Sequence, residues 1–169
     1  NYESLTVIEF QRRVQGCLDR TNSEEPGAWL EVVNWFQESM RPPGVKTSHA
    51  TLDALQTKRP VIVRSSFLHT MLANSRAMTL AKITGATADP PGGKIWHDAN
   101  GEPTGLFEYA TVDVFASHLP RPTAEQDIEA ALAALATMGR QGVTSFLDAI
   151  GTPEDLAAFA AIGKAGKLT

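Results

Sequence analysis

TAEQDIEAALAALATMGRQGVTSFLDAIGTPEDLAAFAAIGKA, residues 123–165, is the stretch that decides the fold class. Thr123 begins a capping box, and apolar residues follow at steps of three and four, which predicts a helix over 123–138. The apolar run after the next glycine predicts a strand over 142–149, and a capped helix with an early proline is predicted over 152–165. This order is typical of a parallel α/β unit, whose strand normally pairs with others of the same kind.

The chain before this unit alternates between helical and strand patterns. The Asn100-Gly101 pair is favoured in tight hairpins, so the strands on either side of it are predicted to pair antiparallel. The predicted elements are a helix over 4–18, a strand over 28–36, a helical turn over 52–55, a strand over 60–64, a helix over 69–83 and hairpin strands over 94–97 and 104–109. Together these elements predict a mixed α/β (α+β) fold.

The composition is that of a globular protein with one core and an appendage. Of 169 residues, 43% are hydrophobic and 20% are charged, close to ordinary averages. The net charge is −4, and the Lys and Arg residues are scattered rather than clustered in a basic patch that could bind nucleic acid. No apolar run approaches the roughly 20 residues needed to cross a bilayer. We therefore expect a soluble, cytoplasmic protein that binds neither nucleic acid nor membrane.

Residues that bind metals are few and dispersed. Cys17 is the single cysteine, which excludes an internal disulfide and a structural thiolate site, and its helical pattern favours burial. The four histidines, His49, His69, His97 and His118, form no pair two residues apart and no helical pair four residues apart. We therefore expect this chain to bind no stoichiometric metal.

Three stretches of sequence carry a family resemblance. They are Arg59–Arg64 leading to His69 and Asn74–Ala77, then Pro90–Ile95 with Asp98, Gly101–Leu106 and Glu108, and finally Gly142–Ser145 with Asp148–Ala149. In this order they resemble the YtcJ-like branch of the amidohydrolase superfamily, also called amidohydrolase family 3. The joint order is specific, whereas any one stretch alone is a weak signal.

The resemblance implies a (β/α)8-barrel hydrolase with a large excursion between its first and second strands. Residues 1–120 then correspond to the insertion domain, and residues 121–169 to one truncated barrel α/β unit. The family carries a metal-binding His-x-His on the first barrel strand, further histidines on later strands and an aspartate near the barrel's end. None of these lies in this sequence, so zinc or another divalent metal is expected in the full-length protein and none in this segment.

The same resemblance implies a function for the full-length protein. This chain is expected to be an internal segment of a metal-dependent amidohydrolase that acts on non-peptide carbon–nitrogen bonds of a small-molecule substrate. It would shape the substrate entrance and be inactive alone, because hydrolysis of this kind needs a metal to activate water. The alternatives are a non-catalytic regulatory or binding module, related to exoenzyme regulatory proteins, and a docking surface for oligomers.

Three residues are candidates for lining the site. The resemblance places His69 ahead of the Asn-Ser-x-Ala motif and Glu108 after Thr-Gly-Leu; a locally bonded helix-start histidine and an edge-strand surface glutamate are the alternatives. Asp148 ends the barrel-like strand, where parallel α/β folds carry chemistry, although it could equally cap a loop. Asn74 is interpreted as a helix-surface amide, with a role in orienting a loop or a substrate group as the alternative. Phe67-Leu68 stand where many family members have Asp-Gly, which predicts a more apolar pocket wall.

The remaining large apolar residues lead to two expectations. The tryptophans Trp29, Trp35 and Trp96 are predicted to fill a core or an interface. The predicted strand over 142–149 would expose Val143, Phe146 and Leu147 if its neighbours were absent. Uncovered apolar strands pair with other chains, so a homodimer is expected.

Overall fold

The computed structural model describes residues 3–21, 27–67 and 69–168. The chain divides into two compact units, Asn1–Leu119 and Pro120–Thr169. No helix in the described ranges is both long and apolar enough to cross a membrane.

A five-stranded mixed sheet forms the centre of the first unit. The strands of this unit are β1 (Leu5–Thr6), β2 (Leu30–Trp35), β3 (Met40–Arg41), β4 (Val61–Ser65), β5 (Thr70–Ala73), β6 (Gly93–His97) and β7 (Pro103–Tyr109). The main sheet has the order β2-β4-β5-β7-β6, and β1 pairs separately with β3. β4 pairs parallel with β2 and antiparallel with β5, which pairs antiparallel with β7. As a result β2, β4 and β7 run in one direction and end at the same edge of the sheet.

Helices cover both faces of this sheet. They are α1 (Val7–Arg20), α2 (His49–Asp53), α3 (Ser75–Leu80) and α4 (Asp113–Ala116). On one face Phe10, Val14 and Leu18 of α1 form a buried core with apolar residues of β2, β4 and β5. On the other face α3 and Phe115 of α4 form a second core with alternate residues of β4, β5, β6 and β7. Successive side chains of a strand point to opposite faces of the sheet, so neighbouring residues of one strand pack in different cores.

Several sequence predictions for this unit are confirmed. The helix predicted over 4–18 is α1, which begins after a capping box of Thr6 and Glu9. The hairpin around Asn100-Gly101 is the antiparallel pair of β6 and β7. Trp35 is buried in the core, and Cys17 is half-buried against it. Trp96 is exposed and so lies outside the core, and the interface alternative for it stays a prediction.

The helix predicted over 69–83 is wrong in its first half. Residues Thr70–Ala73 form the fully buried strand β5, and only Ser75–Leu80 are helical. Met71, Leu72 and Ala73 are good helix formers, but they pair with β4 on one side and β7 on the other. Two sets of ladder hydrogen bonds outweigh a propensity difference of a few tenths of a kcal/mol per residue.

Asn74 joins β4 to α3 rather than lying on a helix surface as predicted. Its side chain is 3% exposed. The Oδ1 atom accepts hydrogen bonds from the backbone N–H of Ala77 at 2.9 Å and of Val61 at 3.0 Å, and the Nδ2 group donates to the carbonyl of Arg59 at 3.0 Å. The amide thus caps α3 and fixes the start of β4.

Asp53 connects α2 to the start of α3. Its carboxylate accepts hydrogen bonds from the Ser75 N–H at 2.9 Å and the Ser75 hydroxyl at 2.6 Å, and lies 3.0 Å from Nδ1 of His49. Burial alone would raise the pKa of Asp53, but the hydrogen bonds from Ser75 and His49 outweigh it and hold the pKa below its usual range.

We expect this aspartate to make the first unit sensitive to acid. Because the folded-state pKa is lowered, its contribution to stability is present above the usual Asp pKa of about 4 and is lost as the pH falls through the folded value. Urea unfolding at a series of pH values, followed by tryptophan fluorescence, should show a steeper loss of stability below about pH 5 in the wild type than in Asp53→Asn. Parallel pH profiles for the two proteins would contradict this assignment.

Two helices make up the second unit. They are α5 (Ala124–Arg140) and α6 (Pro153–Lys164), each starting at a capping box, Thr123 with Gln126 and Thr152 with Asp155. Both helices are confirmed as predicted. The strand predicted over 142–149 is wrong, because none of these residues is in a strand. The described parts of the chain offer this segment no partner strand, and without ladder hydrogen bonds an apolar run cannot hold strand geometry.

The second unit exposes a set of large apolar side chains. The exposed fractions are 41% for Val143, 47% for Phe146, 88% for Leu147, 78% for Ile150 and 72% for Leu156. Burial of such surface contributes about 25 cal/mol per Å². The dimer stays a prediction, which now rests on these exposed side chains rather than on an uncovered strand.

Light scattering on dilute samples tests the dimer prediction. The wild type should have twice the monomer mass, and Leu147→Asp should shift it toward the monomer, because a charge cannot be buried cheaply in an apolar interface. Asn100→Asp, on an exposed turn of the first unit, is the control for the added charge. A monomeric wild type that binds no hydrophobic dye would contradict the prediction.

Candidate functional site

A cavity lies where the carboxyl ends of β2, β4 and β7 meet. Its volume is about 430 Å³, within the range of small-molecule sites. The residues that line it are Phe36, Glu38, Ser39, Ser65, Phe67, His69, Thr70, Glu108 and Tyr109. In open parallel α/β sheets, ligands bind beyond the carboxyl ends of the strands. In this mixed sheet β2 and β4 are the parallel pair, and the cavity lies beyond their carboxyl ends.

The sheet itself determines which side chains reach the cavity. Thr70 of β5 lies directly opposite Glu108 of β7, and the Thr70 N–H donates to the hydroxyl oxygen of Ser65 at the end of β4. Two positions away along these strands are apolar residues that pack in the α1 core, namely Val63, Leu72 and Leu106. Because alternate residues share a face, Ser65, Thr70 and Glu108 continue that face past the core.

His69 and Glu108 line this one cavity. The Tyr109 N–H donates to the His69 carbonyl at 2.9 Å, which extends the pairing of β5 with β7 by one residue. The His69 ring lies 5.4 Å from the Tyr109 ring, and its side chain is exposed, whereas Glu108 is half-buried. β7 lies between β5 and β6, so the alternative of an edge-strand glutamate is wrong. His69 precedes a strand rather than a helix, so the helix-start alternative is wrong too.

Aromatic rings form much of the remaining wall. Phe36 and Phe67 meet edge to face, with ring centroids 5.0 Å apart and an interplanar angle of 66°. Tyr109 has a φ of 53°, a left-handed conformation that is uncommon outside glycine and often found near functional sites. Phe67 lines the cavity, in agreement with the expected apolar pocket wall. Leu68, the other residue of that prediction, lies outside the described residues. Sequence reasoning missed Phe36, Glu38 and Tyr109 as lining residues.

The two carboxylates of the cavity lack a cationic partner among the described residues. Lys94 lies opposite Glu108 on β6, but its Nζ atom binds the Asp89 carboxylate at 2.9 Å instead. Glu38 forms no ion pair within the described ranges. Glu38 and Glu108 therefore line the cavity without an ion pair among the described residues.

Asp148, the third candidate, lies in the second unit. Its Oδ1 atom accepts a hydrogen bond from the backbone N–H of Ile150 at 3.0 Å, which is the geometry of a loop cap. The residue is exposed and lines a separate hollow of about 460 Å³ with Phe146 and Thr152. The local geometry agrees with the loop-capping alternative.

Another cavity, of about 480 Å³, lies between α1 and β2. Arg13 and Arg20 on its rim already have partners, because Arg13 binds Glu3 and the Arg20 guanidinium lies 3.2 Å from Sγ of Cys17. The described residues that line it include no histidine and no carboxylate. The cavity with His69 and Glu108 is therefore the better candidate for chemistry.

A comparison of the sequence with protein families identifies the chain. A profile of the amidohydrolase family matches residues 5–169. This chain belongs to the amidohydrolase family. YtcJ of Bacillus subtilis (strain 168) is 33% identical over 143 residues, which cover 85% of this chain and 26% of YtcJ. An N-substituted formamide deformylase of Arthrobacter pascens is 28% identical over 147 residues, which cover 85% of this chain and 27% of that enzyme. The amidohydrolase chain thus spans about a quarter of these relatives.

A solved structure supports the fold assignment. A metal-dependent hydrolase of uncharacterized function from Pyrococcus horikoshii OT3 matches with a TM-score of 0.56 at 17% identity. The match covers 98% of the amidohydrolase chain and 31% of the solved one. At this identity the likeness bears on fold alone, and it shows a mixed α/β amidohydrolase-like architecture.

A divalent metal is implied by the family, and the described residues do not supply a site for it. No group of three or more His, Cys, Asp or Glu side chains in the described ranges could hold a metal ion. His69 and Glu108 share a cavity but form no such set. A complete metal centre does not fit the described part of this chain.

Proposed function

We propose that this chain is part of a metal-dependent amidohydrolase that hydrolyses non-peptide carbon–nitrogen bonds, and that the 430 Å³ cavity forms its substrate entrance. The observation that carries the proposal is the meeting of His69 and Glu108 in one aromatic-walled cavity at the carboxyl ends of three strands. Membership of the amidohydrolase family and similarity to an N-substituted formamide deformylase support the class of bond.

We assign a different role in the full-length protein to each of the two units. The first unit would be the insertion domain that carries the entrance, and the second a truncated α/β unit of a (β/α)8 barrel. Zinc or another divalent metal, held by residues outside this segment, would activate the water. The chain alone would not hydrolyse amides, because its described residues do not assemble the ligands of such a metal.

Within the entrance, His69 and Glu108 would act as positioning residues. An amide substrate presents one carbonyl acceptor and, when it is not fully substituted, an N–H donor. The exposed imidazole of His69 can donate a hydrogen bond to the carbonyl, and the Glu108 carboxylate can accept one from the N–H. Two directed hydrogen bonds, one from the residue before β5 and one from β7, would fix the orientation of the scissile bond, which is a contribution to rate without covalent chemistry.

The test uses the full-length protein. We expect Glu108→Gln to lower kcat/KM for N-substituted formamides at least about 10-fold, because a lost charge-assisted hydrogen bond costs about 1.5 kcal/mol or more. Glu102→Gln, on the exposed hairpin turn, is the matched control and should keep full activity. Unchanged kcat/KM in Glu108→Gln would rule out the entrance role. The absence of turnover from purified, metal-loaded wild type on any amide would favour the regulatory alternative.

A further inference from the structure

The cavity is lined by aromatic side chains that are unusually exposed to solvent. The Phe67 side chain is 59% exposed and Tyr109 is 57% exposed, although both lie on a concave surface. Phe36 supports Phe67 from the side through their edge-to-face contact at 5.0 Å. Concave surfaces that keep aromatic rings in contact with solvent are typical of ligand sites, because a ligand of the same kind gains both burial and ring contacts.

The arrangement of the rings favours a flat ligand group. The cavity holds two ring pairs: Phe36 with Phe67, whose centroids are 5.0 Å apart, and His69 with Tyr109, whose centroids are 5.4 Å apart. A planar ring in this cavity can contact an aromatic side chain face-on or edge-on, which is worth about 0.5–1.5 kcal/mol beyond area burial and corresponds to about 2-fold to 10-fold in affinity. A saturated ring of equal size gains the burial but not this term.

The charges of the cavity select against one class of ligand. The carboxylates of Glu38 and Glu108 flank the rings, and neither forms an ion pair within the described residues. A ligand carboxylate would face two like charges in a partly desolvated site, whereas a neutral or cationic group would not.

We propose that this cavity selects substrates that carry an aromatic group and no negative charge: aromatic amides, or amides of aromatic amines, rather than N-acyl amino acids or other anionic amides. The inference rests on the proposed function for its assignment to substrate, and it names the substrate class of that same entrance. Phe67 and Tyr109 are its specificity-determining residues, and Glu38 and Glu108 set the charge preference.

Binding of small probes to the chain tests the selectivity without catalysis. Backbone amide shifts in two-dimensional NMR, titrated with benzylammonium, benzamide, cyclohexanecarboxamide and benzoate, report both affinity and location. Benzamide and benzylammonium should move the amides of Ser65, Phe67, Thr70 and Tyr109. Benzoate should bind about 3-fold to 10-fold more weakly than benzamide, and cyclohexanecarboxamide at least about 2-fold more weakly.

Three variants separate the contributions of ring and charge. Phe67→Ser, at an exposed position that should not affect folding, should weaken benzamide at least about 3-fold. The double variant Glu38→Gln with Glu108→Gln should bring benzoate close to benzamide. Phe146→Ser removes a comparably exposed phenylalanine from the second unit and should change nothing at the cavity.

The outcomes distinguish this inference from the proposed function. Benzoate binding as well as benzamide, unchanged affinity in Phe67→Ser, or shifts scattered away from the cavity would overturn the selectivity. If the full-length enzyme prefers anionic or aliphatic amides while Glu108→Gln still lowers turnover, the entrance role stands and the selectivity fails. If the cavity binds the aromatic probes as expected but no amide is turned over, the selectivity stands and the hydrolase role fails.

Discussion

Replacing Asn74 with alanine should lower the free energy of unfolding of the first unit by about 3–5 kcal/mol. The truncation removes the cap of α3 and leaves the Val61 N–H and the Arg59 carbonyl without their side-chain partner in a site that is 3% exposed. Each buried group left unsatisfied costs about 1–3 kcal/mol, and a lost cap about 1 kcal/mol. Because domains are stable by only about 5–15 kcal/mol, this variant should be close to unfolding.

Urea unfolding followed by tryptophan fluorescence measures this loss. Trp29, Trp35 and Trp96 all lie in the first unit, so the signal reports that unit alone. Asn100→Ala is the matched control, because Asn100 lies on an exposed turn and its replacement should cost less than about 0.5 kcal/mol. Equal midpoints for the two variants would show that the Asn74 network contributes nothing to folding.

Replacing Gly105 with alanine should cost about 3 kcal/mol or more. Gly105 has a φ of 87°, which L-residues rarely adopt. A Cβ atom there would lie 2.6 Å from the carbonyl oxygen of Ala73 and 2.8 Å from the backbone nitrogen of His49, so backbone rather than a flexible side chain would have to move. We expect the approach of β7 to β5 and α2 to be disrupted.

Gly101→Ala separates the two causes of this cost. Gly101 has a similar φ of 82°, but nothing lies within 4 Å of its added Cβ. Its replacement should therefore cost only the conformational term, about 1 kcal/mol. A loss for Gly105→Ala no greater than that for Gly101→Ala would show that the strands can move apart without penalty.

The fold was most predictable where the signal is local. The predicted caps at Thr123 and Thr152 begin α5 and α6, because the hydrogen bonds that define them lie within four residues. The Asn100-Gly101 turn likewise placed β6 beside β7. Such features depend on nothing that is distant in sequence.

The errors occurred where distant segments decide the outcome. The sequence of β5 predicts a helix because its apolar residues are good helix formers. Its hydrogen-bonded pairing with β4 and β7 in the sheet stabilises a strand instead. The segment 142–149 reads as strand, yet no described strand pairs with it. The local sequence predicts a surface amide at Asn74, because no nearby residue indicates that the Val61 N–H at the start of β4 will donate a hydrogen bond to its side chain.

The candidate site was predictable in part. His69 and Glu108 were found through sequence motifs, and they do line one cavity. Phe36 and Glu38 were missed because about 70 residues separate them from Glu108, and only the order of strands brings them together. A usable signal did exist, since Phe36 ends the predicted strand 28–36, and ligands gather at the carboxyl ends of strands that run in one direction.

The division between sheet and cavity wall has an evolutionary consequence. Phe36, Phe67 and Tyr109 stand beyond or at the last residue of separate strands, and none of them belongs to either buried core. Exchange of these side chains removes little surface that was buried on folding, so the cost in stability is small compared with that of a core substitution. Mutations can therefore accumulate at the three positions at little cost in stability, with Phe36 and Phe67 coupled through their ring contact. A lineage that uses this cavity for a ligand, as proposed above, could then change that ligand through intermediates that all fold.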